Sequence, residues 1–550
     1  MLFRSLDYAI QYRPSNGPND LNSSQKMRRH KLLVTKNTCK KSTSMATPAA
    51  NLASSLEILK QLQDKGQLAI RAKELTRAHR ERLLKNGFIS EVMKGWYIPS
   101  RPDEQDGEST AWYASFWAFC ADYLSERFDD DWCVSPEQSL ALHAGDWTVP
   151  GQVLIRSPRG GNKPLALPYR TSIFDVRLEL PPTQDIEIKE GLRLFSLPSA
   201  LIAAAPTHYA VHPIPTRAAL ASIADASDVL GRLLEGGHST VAGRLAGAFR
   251  NIGRTSIADN IVATMRAAGY TVNETDPFKT LPPMAFPLPE TSPYVNRVRM
   301  TWDNMRADVL ANFTAPTRHT NIARYLHHVD EVYASDAYNS LSIEGYRVTP
   351  ELIERVRSGD WNPQAVEADR NHGDALAARG YWQAFQQVKQ SVEKVLNNQN
   401  AGLVASADHG TWYRELFGPS VVAGFIKAAD LAGYRNGPVY IRRSMHVPPR
   451  FEAVRELMPA FFNLLQAEEE PAVRVVLGHF VFVYTHPYFD GNGRMGRFLM
   501  NVMMASGGYP WTIVPLAERA AYMDALEKAS VSHDIAPFAQ LMNDLVNREI

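Results

Sequence analysis

Six prolines between positions 277 and 293, in the stretch DPFKTLPPMAFPLPETSP, divide this 550-residue chain more sharply than any other feature. Proline removes a backbone donor and fixes φ, so neither a helix nor an interior strand runs through such a segment. The stretch reads as a linker or surface strap spanning 276–293. The residues on its two sides must then build separate cores, because single cores stop growing beyond about 250–300 residues. No internal repeat is present on either side.

Composition narrows the class. Three cysteines (Cys39, Cys120, Cys133) form no CxxC pair or Cys/His cluster, which argues against disulfides and structural zinc and predicts a reducing, cytoplasmic setting. No apolar run approaches the roughly 18–20 residues of a membrane span, so no membrane partner is expected. The longest candidate, VVLGHFVFVY, is too short and carries His479.

The formal charge of +1 hides an asymmetry. Residues 1–44 hold nine Lys/Arg against Asp7 and Asp20, a balance of +7, so the remainder sums to −6. This leader lacks the apolar core of a secretory signal. A basic nucleic-acid arm or an organellar presequence fits its acid-poor composition. The expectation is a disordered basic segment over 1–54, or a chain whose true start is Met45.

Residues 55–101 outline a winged helix. Leu56, Leu59 and Leu62 share a helical face, RAKELTRAHRERLLKNG predicts a second and third helix, and FISEVMKGWYIP predicts a hairpin around Lys94-Gly95. Arg77, Arg80, Arg82 and Lys85 crowd the third helix, as in a helix that reads a DNA groove. A charged, solvated face is the plainer account. Residues 102–275 read as mixed α/β, with a helix near SPEQSLALHAG, strands near QVLIRS, IFDVRLEL and LRLFSL, and helices from Pro198 onward. They carry no nucleophile, metal or phosphate signature. The order KGWYIPS, SLALHAGDWTVPGQVLIRSP, LRLFSLPSALIAA over about 55–205 resembles AbiEi-type antitoxins, which implies a DNA-binding winged helix on a scaffold. Residues 294–550 are predominantly helical. The expected fold class is therefore multidomain: a winged helix, a mixed α/β middle domain, then a mostly α-helical core.

Chemistry concentrates in THPYFDGNGRMGRFLMN, residues 485–501. The apolar RVVLGHFVFVYT before it predicts a buried helix that Pro487 ends, leaving His486 at its last turn. The glycines of DGNG let backbone amides turn toward a ligand, and RMGRFLMNVMM restarts helical periodicity. A glycine turn at a fresh helix N-terminus is a natural anion site. Arg494 and Arg497, three residues apart, share a face and could clamp one polyphosphate. Asp490 among phosphates is best explained as a magnesium ligand, which leaves His486 as proton acceptor. A metal site of His479, His486 and Asp490 would set both arginines beside a cation, and it is set aside.

HPYFDGNGRMGR closely resembles the Fic family motif H-x-F-x-D-G-N-G-R-x-x-R, with Tyr488 where the family has phenylalanine. The resemblance spans about 295–545 and implies AMP transfer from ATP to a hydroxyl side chain of a target protein. It implies that His486 deprotonates that hydroxyl, Asp490 holds Mg2+, and Asn492 steadies the α-phosphate. Arg494 and Arg497 would bind the β- and γ-phosphates, with Gly491 and Gly493 shaping the cradle. Glycine at 493, in place of the lysine of Doc-type kinases, favours nucleotide transfer.

Upstream, Tyr333, Ala337, Leu341 and Glu344 fall on one helical stripe, so a carboxylate shares an apolar face and needs a cationic partner. Ser340 to Gly345 resembles the Fic inhibitory pattern S/T-x-x-x-E-G/N, which implies that Glu344 pairs with Arg497 and blocks productive ATP binding. GYRNGPVYIRRSMHVPP (433–449) resembles the family's flap. That resemblance implies a β-hairpin whose edge, at Val439, Tyr440 and Ile441, pairs with an extended target segment. The expected activity is an autoinhibited protein adenylyltransferase. The alternatives are a de-AMPylating phosphodiesterase using Glu344 and a DNA-binding, ATP-sensing regulator. A homodimer is left open.

Overall fold

The computed structural model describes residues 47–102, 109–278, 292–315, 321–360 and 372–549. The expected leader up to residue 46 and most of the proline stretch lie outside these residues. The chain divides between residues 106 and 107 into two units. The described residues are mostly helical, with small sheets.

In the first unit, Thr47 caps helix α1 (Pro48–Asp64) by accepting from the Ala50 amide, with proline at the first helical position. Strand β1 (Ile70–Arg71) and a 3₁₀ turn (Ala72–Glu74) follow, then α2 (Arg77–Lys85), β2 (Ile89–Met93) and β3 (Trp96–Pro99). The strands pair antiparallel in the order β1-β3-β2 over Leu59, Ile70, Leu75, Leu83, Ile89 and Tyr97. The expected second helix is thus a strand and a single turn. Ile70 is committed to pairing with Tyr97, and Glu74 folds back onto the Arg71 amide and guanidinium, which closes the turn after three residues.

The four basic residues of α2 do not form one outward face. Arg82 points inward, donating to the Asn51 carbonyl at 3.1 Å and to Ser55 Oγ at 2.7 Å. Arg80 donates to the Ala72 carbonyl, and Arg77 pairs with Glu81. Lys85 is exposed. Four residues in nine must point in several directions around a helix, and α1 claims the side facing it.

The second unit opens with α3 (Thr110–Phe128), β4 (Cys133–Val134) and α4 (Pro136–His143). Strands β5 (Val153–Ser157), β6 (Pro164–Ala166), β7 (Ser172–Arg177), β8 (Ile186–Lys189) and β9 (Leu192–Phe195) come next. The four-stranded sheet has order β4-β5-β7-β6, with β5 and β7 parallel, and β8-β9 is a separate hairpin. Sequence reasoning did not find α3. Its aromatic-rich run, TAWYASFWAFCADYL, is buried on more than one side and has no amphipathic period to read.

Helices α5 (Leu197–Ala203), α6 (Pro206–Val211), α7 (Pro213–Ala221), α8 (Ser227–Glu235), α9 (Ser239–Asn251) and α10 (Thr255–Ala267) close a core that includes Leu140, Leu220, Phe249 and Met265. A larger core gathers α11 (Pro293–Asn312), α12 (Ile322–Ile343), α13 (Pro350–Ser358), α14 (His372–Leu396) and α15 (Ala401–Val422). It continues through α16 (Phe451–Ala467), α17 (Pro471–Thr485), α18 (Asn492–Ser506), α19 (Arg519–Ser532) and α20 (Ala536–Glu549). α17 and α18 run through its middle, nearly all their residues buried. Arg297 of α11 joins the two cores: it donates to the Gly145 carbonyl at 2.8 Å, pairs with Asp146, and its guanidinium lies 5.3 Å from the Tyr484 ring. No helix among the described residues is long and apolar enough to cross a membrane.

Candidate active site

Pro487 stops α17, and His486 caps it with a left-handed backbone, φ 51°. Its amide still donates to the Phe482 carbonyl at 3.0 Å, so the helix delivers the imidazole at a fixed height. Nδ1 lies 3.0 Å from the Val483 carbonyl. A carbonyl only accepts, so the ring proton is on Nδ1 and Nε2 is left as a base. Burial pulls the imidazole down to about 4, with Arg435 adding to the effect, so it is neutral at pH 7.

The next turn is braced by Asn492. Its Oδ1 accepts from the Tyr488 amide at 2.9 Å and its Nδ2 donates to the Tyr488 carbonyl at 2.8 Å. Asn492 therefore shapes the loop, and only its second amide hydrogen is left for the α-phosphate expected of it. Tyr488, the departure from phenylalanine, is buried and stacked on Tyr413 with ring centroids 3.8 Å apart. Gly491 takes φ 78° as the N-cap of α18. Gly493 is required by proximity, since a Cβ there would stand 2.1 Å from Glu344 Oε1.

That proximity is the central fact of the site. Glu344 ends α12, and Gly345, at φ 89°, turns the chain away. The carboxylate lies against the glycine turn and accepts from Arg497 Nη2 at 2.7 Å, with 4% of the arginine and 7% of the glutamate side chain exposed. Burial raises the Glu344 carboxyl, and Arg497 and then Arg494 more than reverse this, holding it below its ordinary range. Arg497 also donates through Nε to Ser340 Oγ at 2.9 Å and through Nη2 to the Ser340 carbonyl at 3.0 Å. Its Nη1 is buried without a partner, 3.3 Å from where a Cβ of Gly493 would be.

Arg494 is equally buried, its guanidinium 5.0 Å from both the Tyr346 and the Phe417 rings, and its Nε has no partner. Both expected phosphate arginines are thus fixed before any ligand arrives, with donors to spare. Asp490 lies 3.5 Å from Arg494 Nη2 and accepts from the Gly491 amide through the same oxygen, Oδ1. Burial raises its carboxyl, opposed by Arg494. A single carboxylate beside a polyphosphate cradle is the donor set magnesium takes when phosphates complete its shell, so the residues present fit that ion. His479 belongs elsewhere, bonded through Nε2 to the Tyr522 hydroxyl at 2.7 Å.

The expected β-hairpin flap is not formed: residues 433–449 contain no strand. Pro438, Pro448 and Pro449 cannot donate to a ladder, and the backbone is committed to other partners. The Arg443 amide donates to Thr110 Oγ1, the Val149 amide to the Met445 carbonyl, and the Met445 amide to Glu527 Oε1. Val439 is buried, while Tyr440 and Ile441 are half-buried.

Arg435 ties this segment to the end of α17 and the turn that follows it. It donates to the His486 carbonyl at 2.8 Å, the Gly437 carbonyl at 3.1 Å, the Thr485 carbonyl at 3.4 Å and the Pro449 carbonyl. The signal was an arginine beside the YRNGP turn, which has no meaning until the fold brings 435 and 486 together. Arg435→Lys keeps the charge and loses the fork. We expect it to destabilise the protein by about 2–3 kcal/mol, since buried carbonyls lose their donors. A urea melt checks this, and an unchanged midpoint would contradict it.

Seven histidines among the described residues have lowered pKa values: His446 at about 3, His208, His479, His486 and His533 at about 4, with His143 and His409 lowered too. Burial is the leading cause in each. Below pH 6.5 the unfolded chain binds protons at these positions before the native chain does, so stability falls with pH down to about 4. Asp336, raised to about 6, works in the opposite sense, as do the raised carboxyls of Asp303, Asp490 and Glu527, four groups against seven. Each histidine contributes up to about 1.4 kcal/mol per pH unit in that window. Thermal melts between pH 7 and 4.5 should show a steep monotonic loss, and a flat profile would count against the burial of these rings.

Residues 411–504 match the Fic/DOC family. The chain is 28% identical over 226 residues to the protein adenylyltransferase Fic of Culex quinquefasciatus, covering 40% of this chain and 41% of that protein. It is 32% identical over 133 residues to the protein adenylyltransferase Fic of Drosophila grimshawi, covering 24% of this chain and 27% of that one. The alignments thus span less than half the length of these curated relatives. Fic-1 from C. elegans is similar at 17% identity and a TM-score of 0.33, over 58% of this chain and 90% of that one.

Proposed function

From the premise that this is a Fic-domain protein, with its Fic/DOC domain at 411–504, we propose that it is an autoinhibited protein adenylyltransferase using ATP. One observation carries the reading. Two buried guanidiniums, each with an unpartnered N–H, flank a glycine turn at the start of α18, and a neutral histidine with a free Nε2 stands at the end of α17.

A triphosphate supplies what those donors lack. Its β- and γ-phosphates take the places around Arg494 and Arg497, with Glu344 displaced from Arg497. His486 Nε2 accepts the proton of a target hydroxyl. That oxygen bonds to the α-phosphorus, the bond from the α-phosphorus to the bridging oxygen breaks, and pyrophosphate leaves with AMP on the target. Asp490 would hold magnesium, which when bound neutralises phosphate charge. The backbone amides after Gly491 face the same anion.

Label position tests the reading. Incubation of the Glu344→Gly chain and candidate substrate proteins with ATP labelled at the α- or the γ-phosphate should put only α-label on protein. Transfer of γ-label would mean phosphorylation and would remove the AMP-transfer assignment.

A further inference from the structure

Arg497 poses a problem that Glu344 solves only while the site is shut. It is 3% exposed, and a buried cation without a counter-charge is strongly unfavourable. When ATP is absent and Glu344 has moved, something else must hold the guanidinium.

The structure places a second carboxylate behind it. Asp336, Ser340 and Glu344 succeed one another at intervals of four along α12, so they line one face. Arg497 Nε donates to Ser340 Oγ at 2.9 Å, the Tyr381 hydroxyl donates to Asp336 Oδ2 at 2.6 Å, and Ser340 and Tyr381 interact between them. A guanidinium can only donate and a carboxylate can only accept. The Ser340 hydroxyl accepts from the guanidinium and the Tyr381 hydroxyl donates to the carboxylate, so both are oriented in the same sense between the two charges. All four groups are buried, Asp336 at 4%, Ser340 at 2%, Tyr381 at 0% and Arg497 at 3% exposed. Neither Asp336 nor Tyr381 touches the glycine turn, so the relay persists when a ligand takes Glu344's place.

We propose that Asp336 is a positioning residue for Arg497: through Tyr381 and Ser340 it keeps the guanidinium aimed at the terminal phosphate once Glu344 has left. The proposal deepens the nucleotide-binding reading and rests on it. It separates two roles on one helix face, with Glu344 competing with the nucleotide and Asp336 supporting its binding.

The test is calorimetric, with magnesium and the α,β-methylene analogues of ATP and ADP, which cannot transfer AMP. The parent is the full chain with Glu344→Gly. Adding Tyr381→Phe, which removes only the relay hydroxyl, or Asp336→Asn should weaken the ATP analogue about tenfold and the ADP analogue by less than about twofold. The triple variant should be no weaker than either double one, because the two groups act as one chain. A purely structural role would weaken both analogues alike, and that result, or no change in either, overturns the proposal. If Asp336→Asn fails to fold, the nearly isosteric Tyr381→Phe decides alone. A parent that binds neither analogue overturns the nucleotide reading itself, and the relay with it.

Discussion

His486→Ala, placed in the Glu344→Gly chain, should lower AMP transfer by about 10²–10⁴-fold while leaving ATP affinity within about twofold. The separation has a geometric origin. His486 ends α17 and commits Nδ1–H to the Val483 carbonyl, whereas the anion donors belong to Arg494, Arg497 and the start of α18. Removing the imidazole removes the base and none of the phosphate contacts. Lowering the pH mimics the change, since a ring held near 4 stays neutral through the physiological range and loses its basic form only in acid. The decisive comparison is calorimetric ATP binding beside α-label incorporation. Transfer that survives the substitution would remove His486 from the chemistry, and lost binding would make it a ligand contact.

Glu344→Gly alone should raise both ATP affinity and α-label incorporation, each on the order of 10²-fold over the parent chain. The magnitude comes from the contact ATP must displace. Glu344 and Arg497 form a desolvated pair at 2.7 Å, and breaking such a pair costs about 3–5 kcal/mol. An incoming phosphate returns part of that by taking the same guanidinium. The parent's apparent affinity is reduced by the fraction of molecules in which the carboxylate has left. Glycine is tolerated at this position because Glu344 is the cap of α12, outside its regular turns. Without nucleotide the variant should melt below the parent, because Arg497 has lost its nearest counter-charge, and saturating ATP should restore the difference. Equal ATP affinities in parent and variant would show that Glu344 is not the brake.

Much of this site was legible in the chain itself. His486, Pro487, Gly491, Gly493, Arg494 and Arg497 lie within twelve residues, so helix stop, turn and helix start bring them together without help from the rest of the fold. The stripe that puts Glu344 on an apolar face required a cation, and the structure supplies Arg497. Local periodicity also marked the strand at 153–157 and the helix at 136–143. The features it missed depend on partners remote in sequence. α3 is buried on several sides and carries no amphipathic signal, and the flap lost its hairpin to bonds with Thr110, Val149 and Glu527. Arg435 became a clamp because its target carbonyls lie about fifty positions away, and Asp336 reaches Arg497 only across α14. The glycine turn is written in the chain alone, because local backbone sterics and helix ends suffice to build it. Which charges are paired, which donors are left over and what braces them was settled by long-range packing, since burial sets the strength of every polar contact and only the folded core creates burial.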